Sequence, residues 1–465
     1  MNKLIVVSNR TAAATGLRAG GLAVAVSDAL QKSGGTWIGW SGEVVDERPR
    51  GVSVIRDEGV QYILSDLSQE EFDGYYLQFA NRMIWPDFHY RVDLAHYDND
   101  TFEIYRAVNQ RFAEIVAQEA TPGDLVWVHD YHFLLMGDAL RQAGWDGPTG
   151  YFLHIPFPSP ELFRALPQHN RIARSLSYFD VIGFQSERDA ANFHRYMIEE
   201  CAAVDLGDGR LRAFGRTFSA RAYPIGIDPV TIEKAAESEL ARAATEKISR
   251  FLGGGRSLVI GVDRMDYSKG LPERFEAVGQ LFDQFEQVRG KVSFTQIAPP
   301  SRSMVEEYKN LRKELDRLAG RINGDYGDLD WIPIRYLARA YQRDELAGLF
   351  RVADVALVTP LRDGMNLVAK EYVAAQDPED PGVLVLSEFA GAAEQMTEAL
   401  IINPHDRGQV AEAIYRALTM SLTERKDRWQ ALSETVKAQD ISWWSDRFLT
   451  DLRACGLPAA TAVAS

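Results

Sequence analysis

Short apolar segments alternate with amphipathic segments along this chain, and the alternation runs through the sequence twice. The first series of strand-like segments is LIVVSN (4–9), TWIGWS (36–41), VQYILSD (60–66), DLVWVHD (124–130), GYFLHIPFP (150–158) and DVIGFQS (180–186). The second series is SLVIGVDRMD (257–266), KVSFTQIAP (291–299), VADVALVTP (352–360), GVLVLSEFAG (382–391) and ALIINPHD (399–406). Several are apolar throughout, as strands covered on both faces are. We therefore expect an α/β protein with two doubly wound, Rossmann-like domains.

The length of 465 residues supports this division, because a single core usually stops growing below that size. We expect an N-terminal domain over residues 1–235, a C-terminal domain over residues 236–440 and a disordered tail over residues 457–465. In parallel sheets the functional loops gather at the carboxyl ends of the strands. Two such faces across a cleft would form one site from two halves, so we look for chemistry where strands end.

The composition limits the partners and the compartment. The formal net charge of −15 is unfavourable for nucleic acid or an anionic membrane, and no apolar run approaches the roughly 20 residues of a membrane span. The two cysteines, Cys201 and Cys455, form no disulfide framework, and the N-terminus resembles a first strand more than a secretion signal. We therefore expect a cytoplasmic protein.

Three polar groups follow strands of the first series. Arg10 ends the first strand, and Gly20 and Gly21 open the helical segment after it, where backbone can approach an anion. Two glycines alone are more often a plain turn, but Arg10 beside them favours a ligand. Asp130 lies in HDYH (129–132), whose two histidines suggest a metal, but no further Cys or His cluster supports one. We expect Asp130 to bind a polyol instead. His154 either packs in the core or faces the cleft.

Two cations follow the first strand of the second series. Arg264 and Lys269 lie in DRMDYSKG (263–270), where a guanidinium and an ammonium suit a diphosphate. The alternative is a solvated charged loop. Arg302 follows the next strand of this series and invites the same interpretation.

The segment RDGMNLVAKE (362–371) follows a fourth strand and opens a helix. Its glycine and first helical N–H groups can face an anion, and Asp363 can accept hydrogen bonds from sugar hydroxyls. Glu371 lies one helical turn beyond Leu367, where a carboxylate can hold a ribose diol. Together these features predict a site for a nucleotide-linked sugar.

Many segments of the chain resemble bacterial trehalose-6-phosphate synthases, the retaining glycosyltransferases of family 20 with the two-domain GT-B fold. The resemblance runs from residue 4 to about residue 450 and is carried by segments such as YYLQFANRMIWPDFHYR (75–91), FLHIPFPSPE (152–161), DRMDYSKGLPERF (263–275) and VTPLRDGMNLVAKEYVAAQ (358–376). It implies transfer of glucose from a nucleotide sugar, usually UDP-glucose, to glucose 6-phosphate. It also implies that residues 441–456 return as a helix to the N-terminal domain.

The resemblance assigns roles to individual positions. The expected acceptor-binding residues are Arg10, Tyr76, Trp85, Asp130 and Arg302. The expected donor-binding residues are Gly20, Gly21, His154, Arg264, Lys269, Tyr341, Asp363, Gly364, Met365, Asn366, Leu367 and Glu371. The expected catalytic residues are Arg264, Lys269, His154 and Asp130.

The family mechanism implied is front-face displacement, in which the leaving diphosphate takes the acceptor's proton and two side-chain cations stabilise its charge. We expect no cofactor and no metal, and a homo-oligomer, either a dimer or a tetramer. The alternatives are a related transferase with another donor or acceptor, such as a glucosylglycerol-phosphate synthase or a pseudo-glycosyltransferase, and a non-catalytic sugar-phosphate sensor. A dinucleotide oxidoreductase would need G-x-G-x-x-G after the first strand, which the sequence lacks.

Overall fold

The computed structural model describes residues 3–11, 26, 30, 34–253, 255–302 and 305–455. The chain divides into two compact units. Unit 1 comprises Met1–Ile225 and Ser442–Ser465, and unit 2 comprises Gly226–Ile441. Gly20 and Gly21 lie outside the described residues. Within those residues, no helix combines the length and the apolar character that a membrane crossing requires.

Unit 1 is built on a sheet that contains ten strands in the described part of the chain. The strands are β1 Leu4–Arg10, β2 Gly35–Val45, β3 Ser53–Asp57, β4 Val60–Ser68, β5 Leu125–His129, β6 Thr149–Phe152, β7 Val181–Phe184, β8 Val204–Gly207, β9 Arg210–Ala213 and β10 Arg216–Ala222. They lie in the order β3-β4-β2-β1-β5-β6-β7-β10-β9-β8. The seven strands from β4 to β10 in this order are parallel, and antiparallel β3, β9 and β8 complete the two edges.

The helices of unit 1 separate these strands. The described α-helices are Gln69–Glu71, Trp85–Phe88, Asp100–Glu119, Met136–Gln142, Pro160–Phe163, His169–Leu176, Glu187–Cys201 and Ile441–Cys455. Phe72–Ile84 is a π-helix, and Val92–Leu94 and Tyr131–Phe133 are 3₁₀ turns. Sequence chemistry sets the ends: Ser186 accepts a hydrogen bond from the Asp189 N–H to begin its helix, and Ala202 ends that helix with φ +51°.

The helix Ile441–Cys455 packs on the sheet of unit 1. The ring of Phe448 stacks on Trp127 of β5 with centroids 4.7 Å apart, and Trp444 lies 5.0 Å from the same ring. Glycines on β6 and β7 make room, because a Cβ at Gly150 or Gly183 would come within 2.9 Å of Phe448. The last helix therefore completes the core next to the strands that precede Asp130 and His154.

Unit 2 contains a six-stranded sheet within its described residues. The strands are β11 Ser257–Val262, β12 Val292–Ile297, β13 Ile334–Leu337, β14 Val355–Val358, β15 Val383–Ser387 and β16 Leu400–Ile402, in the order β13-β12-β11-β14-β15-β16. The described helices are Pro229–Ala236, Glu239–Leu252, Leu271–Gln284, Glu306–Tyr326, Arg343–Arg351, Leu367–Ala375, Arg407–Thr419 and Leu422–Ala438, with 3₁₀ turns at Tyr267–Lys269, Glu286–Val288 and Gly391–Glu394. All its strand pairs are parallel, which confirms the predicted doubly wound fold.

The strand order locates the functional edge of each unit. In unit 2 the order reverses between β11 and β14, and in unit 1 it reverses between β1 and β5. Ligands of doubly wound sheets bind outside the carboxyl ends of the strands at this reversal. The loops that lie at this edge are those after β1 and β5 in unit 1 and those after β11 and β14 in unit 2.

Candidate active site

Arg10, at the carboxyl end of β1, begins a column of stacked side chains in unit 1. Its guanidinium carbon lies 4.0 Å from the centre of the buried Trp40 ring. Trp40 contacts Tyr76 at 5.3 Å, and Tyr76 stacks on His132 at 5.9 Å with an interplanar angle of 11°. A cation held over an aromatic face keeps its hydrogen-bond donors available for an anion. The predicted acceptor residues Arg10 and Tyr76 thus share one neighbour, Trp40.

The π-helix Phe72–Ile84 brings Tyr76 and Trp85 to this region. At its end the Trp85 N–H donates to the carbonyl of Ala80, five residues back, and such helices often occur at functional sites. Trp85 is buried, with its ring 4.1 Å from His89 and 5.4 Å from Tyr131. In this structure Trp85 packs among aromatic rings, and its contact with the acceptor stays a prediction.

Asp130, directly after β5, has a backbone conformation that is rare for its residue type. Its φ is +74°, in the region that favours glycine. Its carboxylate accepts a hydrogen bond of 3.3 Å from the backbone N–H of His154. A strained residue kept at the end of a buried strand, at the strand-order reversal, fits a functional role.

His154 is held in one tautomer by its neighbours. The amide oxygen of Gln185 accepts a hydrogen bond from the Ile225 N–H at 3.1 Å, so the amide nitrogen faces Nδ1 of His154 at 3.3 Å. Because that nitrogen donates, Nδ1 of His154 accepts, and Nε2 carries the proton toward Nδ1 of His129 at 3.0 Å. Burial lowers the pKa of His154 to about 3, so the ring is neutral at neutral pH.

Lys269 and Asp363 meet at the strand-order reversal of unit 2. Nζ of Lys269, in the turn after β11, lies 2.5 Å from Oδ2 of Asp363, which follows β14. The same oxygen accepts a hydrogen bond from the Asn366 amide at 3.0 Å, and Oδ1 accepts from the Gly364 N–H at 3.0 Å. The structure thus brings together four residues that were predicted separately from two segments of the sequence.

Arg264 differs from Lys269 in its environment. Its side chain is exposed and, within the described part of the chain, has no carboxylate partner. A guanidinium at the end of β11 without an internal counter-ion is available for an anionic ligand. Of the two cations predicted to bind the diphosphate, Arg264 therefore has no carboxylate partner in the described residues, and Lys269 is paired with Asp363.

Arg274, which the sequence analysis missed, joins the strand ends of unit 2. It is 1% exposed, and its Nη1 donates to Asp263 at 2.7 Å and to Gln296 at 2.8 Å. Its Nε donates to the hydroxyl of Thr359 at 2.9 Å. One buried guanidinium thus ties the carboxyl ends of β11, β12 and β14, which fixes the loops that carry Arg264, Lys269 and Asp363.

Arg302, predicted to bind the acceptor phosphate, is engaged within unit 2. Nη1 lies 3.1 Å from Oδ2 of Asp266 and contacts the hydroxyl of Tyr308, which itself donates to Asp266 at 2.8 Å. The side chain of Arg302 is 9% exposed, and its φ is +47°. A phosphate would have to share this guanidinium with Asp266 or displace it.

The helix Leu367–Ala375 begins at Asn366, which has φ +68° and makes no side-chain cap. The turn before it is packed closely: a Cβ at Gly391 would lie 1.8 Å from the carbonyl oxygen of Gly364. Met365 is buried, and its carbonyl accepts from the Ala392 N–H at 3.0 Å. The side chain of Asn366 therefore accepts no hydrogen bond from the first N–H groups of the helix, which an anion site at this helix start requires.

Glu371 and Tyr341 complete the predicted donor residues. The Glu371 carboxylate has no hydrogen-bond partner among the described residues, and burial raises its pKa, opposed by Arg343. The hydroxyl of Tyr341 accepts from Arg339 at 2.8 Å, and that guanidinium lies 4.7 Å from the ring centre. Glu371 can accept hydrogen bonds from a diol. The ring of Tyr341 already has the guanidinium of Arg339 over one face.

Gln185 and Arg274 are the main residues that the sequence analysis did not select. Gln185 lies in DVIGFQ (180–185) and Arg274 in GLPERF (270–275), but neither carries a sequence signal of its own. No group of three or more His, Cys, Asp or Glu side chains placed to hold a metal ion occurs in the described residues.

Two Rossmann-type units with polar clusters at their strand-order reversals are the architecture of glycosyltransferases with the GT-B fold. The model of glycosyltransferase family 20 matches residues 3–454, and the chain belongs to that family.

Close relatives have known names and structures. The chain is 45% identical to the trehalose-6-phosphate synthase of Sodalis glossinidius, over 97% of this chain and 96% of the relative. A UDP-forming α,α-trehalose-phosphate synthase from Burkholderia xenovorans, solved with glucose 6-phosphate, is 45% identical and superposes with a TM-score of 0.93, over 97% of this chain and 100% of the other. The E. coli protein bound with UDP-2-fluoro glucose is 43% identical, with a TM-score of 0.93 over 97% and 99% of the two chains.

Proposed function

We propose that this protein transfers glucose from UDP-glucose to glucose 6-phosphate with retention, forming α,α-trehalose 6-phosphate and UDP. The observation that carries the proposal is the cluster of Lys269, Asp363 and the helix start at Asn366, at the strand-order reversal of unit 2, with Arg264 on the same loop as Lys269. It offers two cations and helical N–H groups to a diphosphate and a carboxylate to a sugar. The two ligands found in the Burkholderia and E. coli structures support this choice of substrates.

We assign the donor along the order of its parts. Asp363 holds hydroxyls of the transferred glucose, and the backbone from Gly364 to Leu367 together with Arg264 and Lys269 holds the diphosphate. Glu371 accepts hydrogen bonds from the ribose, and Tyr341 lies near the base. Gly20, Gly21 and His154 are assigned to the donor on the family resemblance.

The acceptor is assigned mainly to unit 1. Arg10 and Arg302 bind its phosphate, and Asp130 accepts hydrogen bonds from its hydroxyls. Tyr76 and Trp85 offer amphipathic rings to the sugar. Support comes from the stacked position of Arg10 over Trp40 and from the strained Asp130 at the end of β5.

The chemistry follows from these charges. The bond between the anomeric carbon and the diphosphate oxygen breaks, a bond forms on the same face to the acceptor hydroxyl oxygen, and the hydroxyl proton passes to the leaving diphosphate. Arg264 and Lys269 stabilise the charge that grows on that group. His154 is neutral and both its ring nitrogens are engaged, so it is unsuited to transfer the proton itself. This supports the leaving group as the base.

The proposal is tested by incubating the protein with glucose 6-phosphate and, separately, UDP-, GDP- and ADP-glucose. We expect a non-reducing phosphorylated disaccharide, detected by ¹H and ³¹P NMR, with the α configuration at both anomeric carbons. Reactions without acceptor measure donor hydrolysis as the control. Absence of the disaccharide with every donor would overturn the proposal, and a product from GDP- or ADP-glucose alone would revise the donor.

The two free cysteines, Cys201 and Cys455, are consistent with the cytoplasm as the location of the protein.

A further inference from the structure

Strand β2 carries a bulge beside Arg10. Its register with β4 shifts between Trp40 and Val44, where residues 41–43 of β2 lie opposite Asp66 alone. Extra residues of this kind bend a strand and redirect its side chains, and such bulges are common next to active sites. This bulge, residues 41–43, begins directly after the tryptophan on which the guanidinium of Arg10 is stacked.

Hydrogen bonds of its own fix the bulge. The hydroxyl of Ser41 donates to the carboxylate of Asp66 at 2.5 Å and accepts from the Glu43 N–H at 3.1 Å. The indole N–H of Trp40 donates to the Glu43 carbonyl at 2.8 Å. Gly42, between these contacts, has φ +99°, a conformation that residues other than glycine rarely adopt. The backbone is therefore tied down on both sides of Gly42.

Gly42 lies against the guanidinium of Arg10. A Cβ built on Gly42 would be 2.1 Å from Nη1, 3.3 Å from Cζ and 3.8 Å from Nη2 of Arg10. These three distances place that Cβ at the Nη1 end of the guanidinium, on the side of Nη2. A methyl group at this point would overlap Nη1, so Arg10 can keep its position only while residue 42 has no side chain.

Arg10 is held on two sides and open on a third. The ring of Trp40, its partner across the β1–β2 pair, covers one face of the guanidinium, and Gly42 meets the Nη1 end. Arg10 itself stays exposed, and its side chain makes no hydrogen bond or ion pair with the described residues. The Nε–Nη2 edge, with two parallel N–H groups, is therefore the edge left for bidentate contact with a phosphate.

We propose that Gly42 is a positioning residue for the acceptor, because it holds Arg10 with the Nε–Nη2 edge of the guanidinium toward the acceptor phosphate. A side chain at position 42 would displace the guanidinium and turn that edge away. The proposal rests on the assignment of Arg10 to the phosphate of the acceptor. It adds that the bulge of β2, and not Arg10 alone, sets the affinity for a phosphorylated acceptor.

Gly42→Ala tests this role. We expect the KM for glucose 6-phosphate to rise roughly tenfold or more, because charge-assisted hydrogen bonds to the phosphate are misaligned, while kcat and the donor KM stay nearly unchanged. Gly59→Ala is the matched control. Gly59 also has a positive φ, +82°, but a Cβ there would have no neighbour within 4 Å. It introduces a similar backbone strain and should leave the acceptor KM as it is.

A double-mutant cycle shows whether Gly42 acts through Arg10. In an Arg10→Ala background, Gly42→Ala should raise the acceptor KM no further, because the guanidinium that it displaces is absent. Additive effects of the two changes, or an unchanged acceptor KM in Gly42→Ala, would overturn the proposal. If Gly42→Ala does not fold, Ser41→Ala replaces it. That variant loosens the bulge without backbone strain and should raise the acceptor KM by a smaller factor, only while Arg10 is present, and an unchanged KM would then overturn the proposal.

Calorimetry separates this proposal from the proposed reaction. Glucose 6-phosphate should bind Gly42→Ala more weakly than the wild type, and Gly59→Ala as tightly as the wild type, whether or not a disaccharide forms. This pattern of binding without any disaccharide would reject the reaction and leave the role of Gly42 standing. A disaccharide from the wild type, with equal binding of glucose 6-phosphate by Gly42→Ala, would reject the role of Gly42 alone.

Discussion

The ammonium group of Lys269 lies 2.5 Å from the carboxylate of Asp363, although the two residues are 94 positions apart in the sequence. They follow β11 and β14, the neighbouring strands at the strand-order reversal of unit 2. Without a substrate, each of these two side chains therefore has the other as its ion-pair partner. A nucleotide sugar that takes both must exchange this ion pair for a contact between Lys269 and phosphate and a contact between Asp363 and sugar.

Asp363→Asn should separate these two roles. The variant leaves Lys269 free for phosphate, so we expect UDP, which has no sugar, to bind on the order of fivefold more tightly in calorimetry. Turnover should fall because the glucose loses its acceptor group. Asp427→Asn, an exposed change of the same charge in unit 2, is the control. Weaker binding of UDP by Asp363→Asn would show that the carboxylate does not compete for Lys269.

Arg264→Ala should mainly affect the chemical step. Loss of a group that stabilises the leaving diphosphate should lower kcat on the order of 10²-fold or more. The unfolding temperature should stay unchanged, because the exposed side chain has no ion-pair partner in the described residues. Arg312→Ala, at an exposed helix position, is expected to retain wild-type kcat. Steady-state kinetics that show a change in donor KM alone would contradict a role in catalysis.

Arg302→Ala should raise the acceptor KM on the order of 10²-fold with little change in donor KM. It should also cost about 3 kcal/mol of stability, because Asp266, 1% exposed, loses its cation. Arg302→Lys separates the two effects. A lysine keeps a positive charge beside Asp266 and should therefore keep the stability, but it cannot bind the phosphate in a bidentate way. Equal increases of both KM values would remove Arg302 from the acceptor site.

Glu371→Ala should abolish recognition of the ribose. The wild type should prefer UDP-glucose over its 2′-deoxy analogue by roughly tenfold or more in kcat/KM, since a hydrogen bond to a carboxylate is lost. The variant should treat the two donors alike, and Glu379→Ala, at an exposed position, should keep the preference. A variant that still discriminates would place the ribose elsewhere.

The histidine pair predicts a pH dependence of stability. Burial lowers the pKa of His154 to about 3 and that of His129 well below its usual range, whereas an unfolded histidine has a pKa near ~6.5. The folded state thus binds fewer protons, so this contribution is complete above pH ~6.5 and is lost as the pH falls toward 3. In urea unfolding, His154→Asn should show a shallower loss of stability between pH 7 and pH 4 than the wild type. Exposed His405→Asn should not.

The sequence predicts the parts of the fold that hydrophobic patterning controls. Buried strands such as β5 and β14 coincide with apolar runs, whereas the exposed edge β3 and the short β13 have no such signal and were missed. Asp363, Gly364 and Asn366 could be predicted as site residues because one short segment carries them.

Residues whose roles depend on distant partners were beyond the sequence. Arg274 became recognisable only when β11, β12 and β14 met around it, and Gln185 only beside His154. The positive φ of Asp130 likewise depends on tertiary context. The pairing of Arg302 with Asp266 was also unforeseen, because two residues 36 positions apart gave no local pattern.

The packing of Trp444 and Phe448 against β5 and β6 has a consequence for synthesis on the ribosome. Unit 2 can emerge and fold as a continuous stretch, but unit 1 must wait for the helix Ile441–Cys455 before its aromatic core is filled. Trp444 also lies beside His129 and His154, at 6.4 Å and 6.1 Å. A nascent chain cut short before this helix would keep every predicted substrate-binding residue. It would still lack the aromatic side chains that pack behind β5 and β6, the strands that position Asp130 and His154. Only translation through the last helix therefore yields a working enzyme.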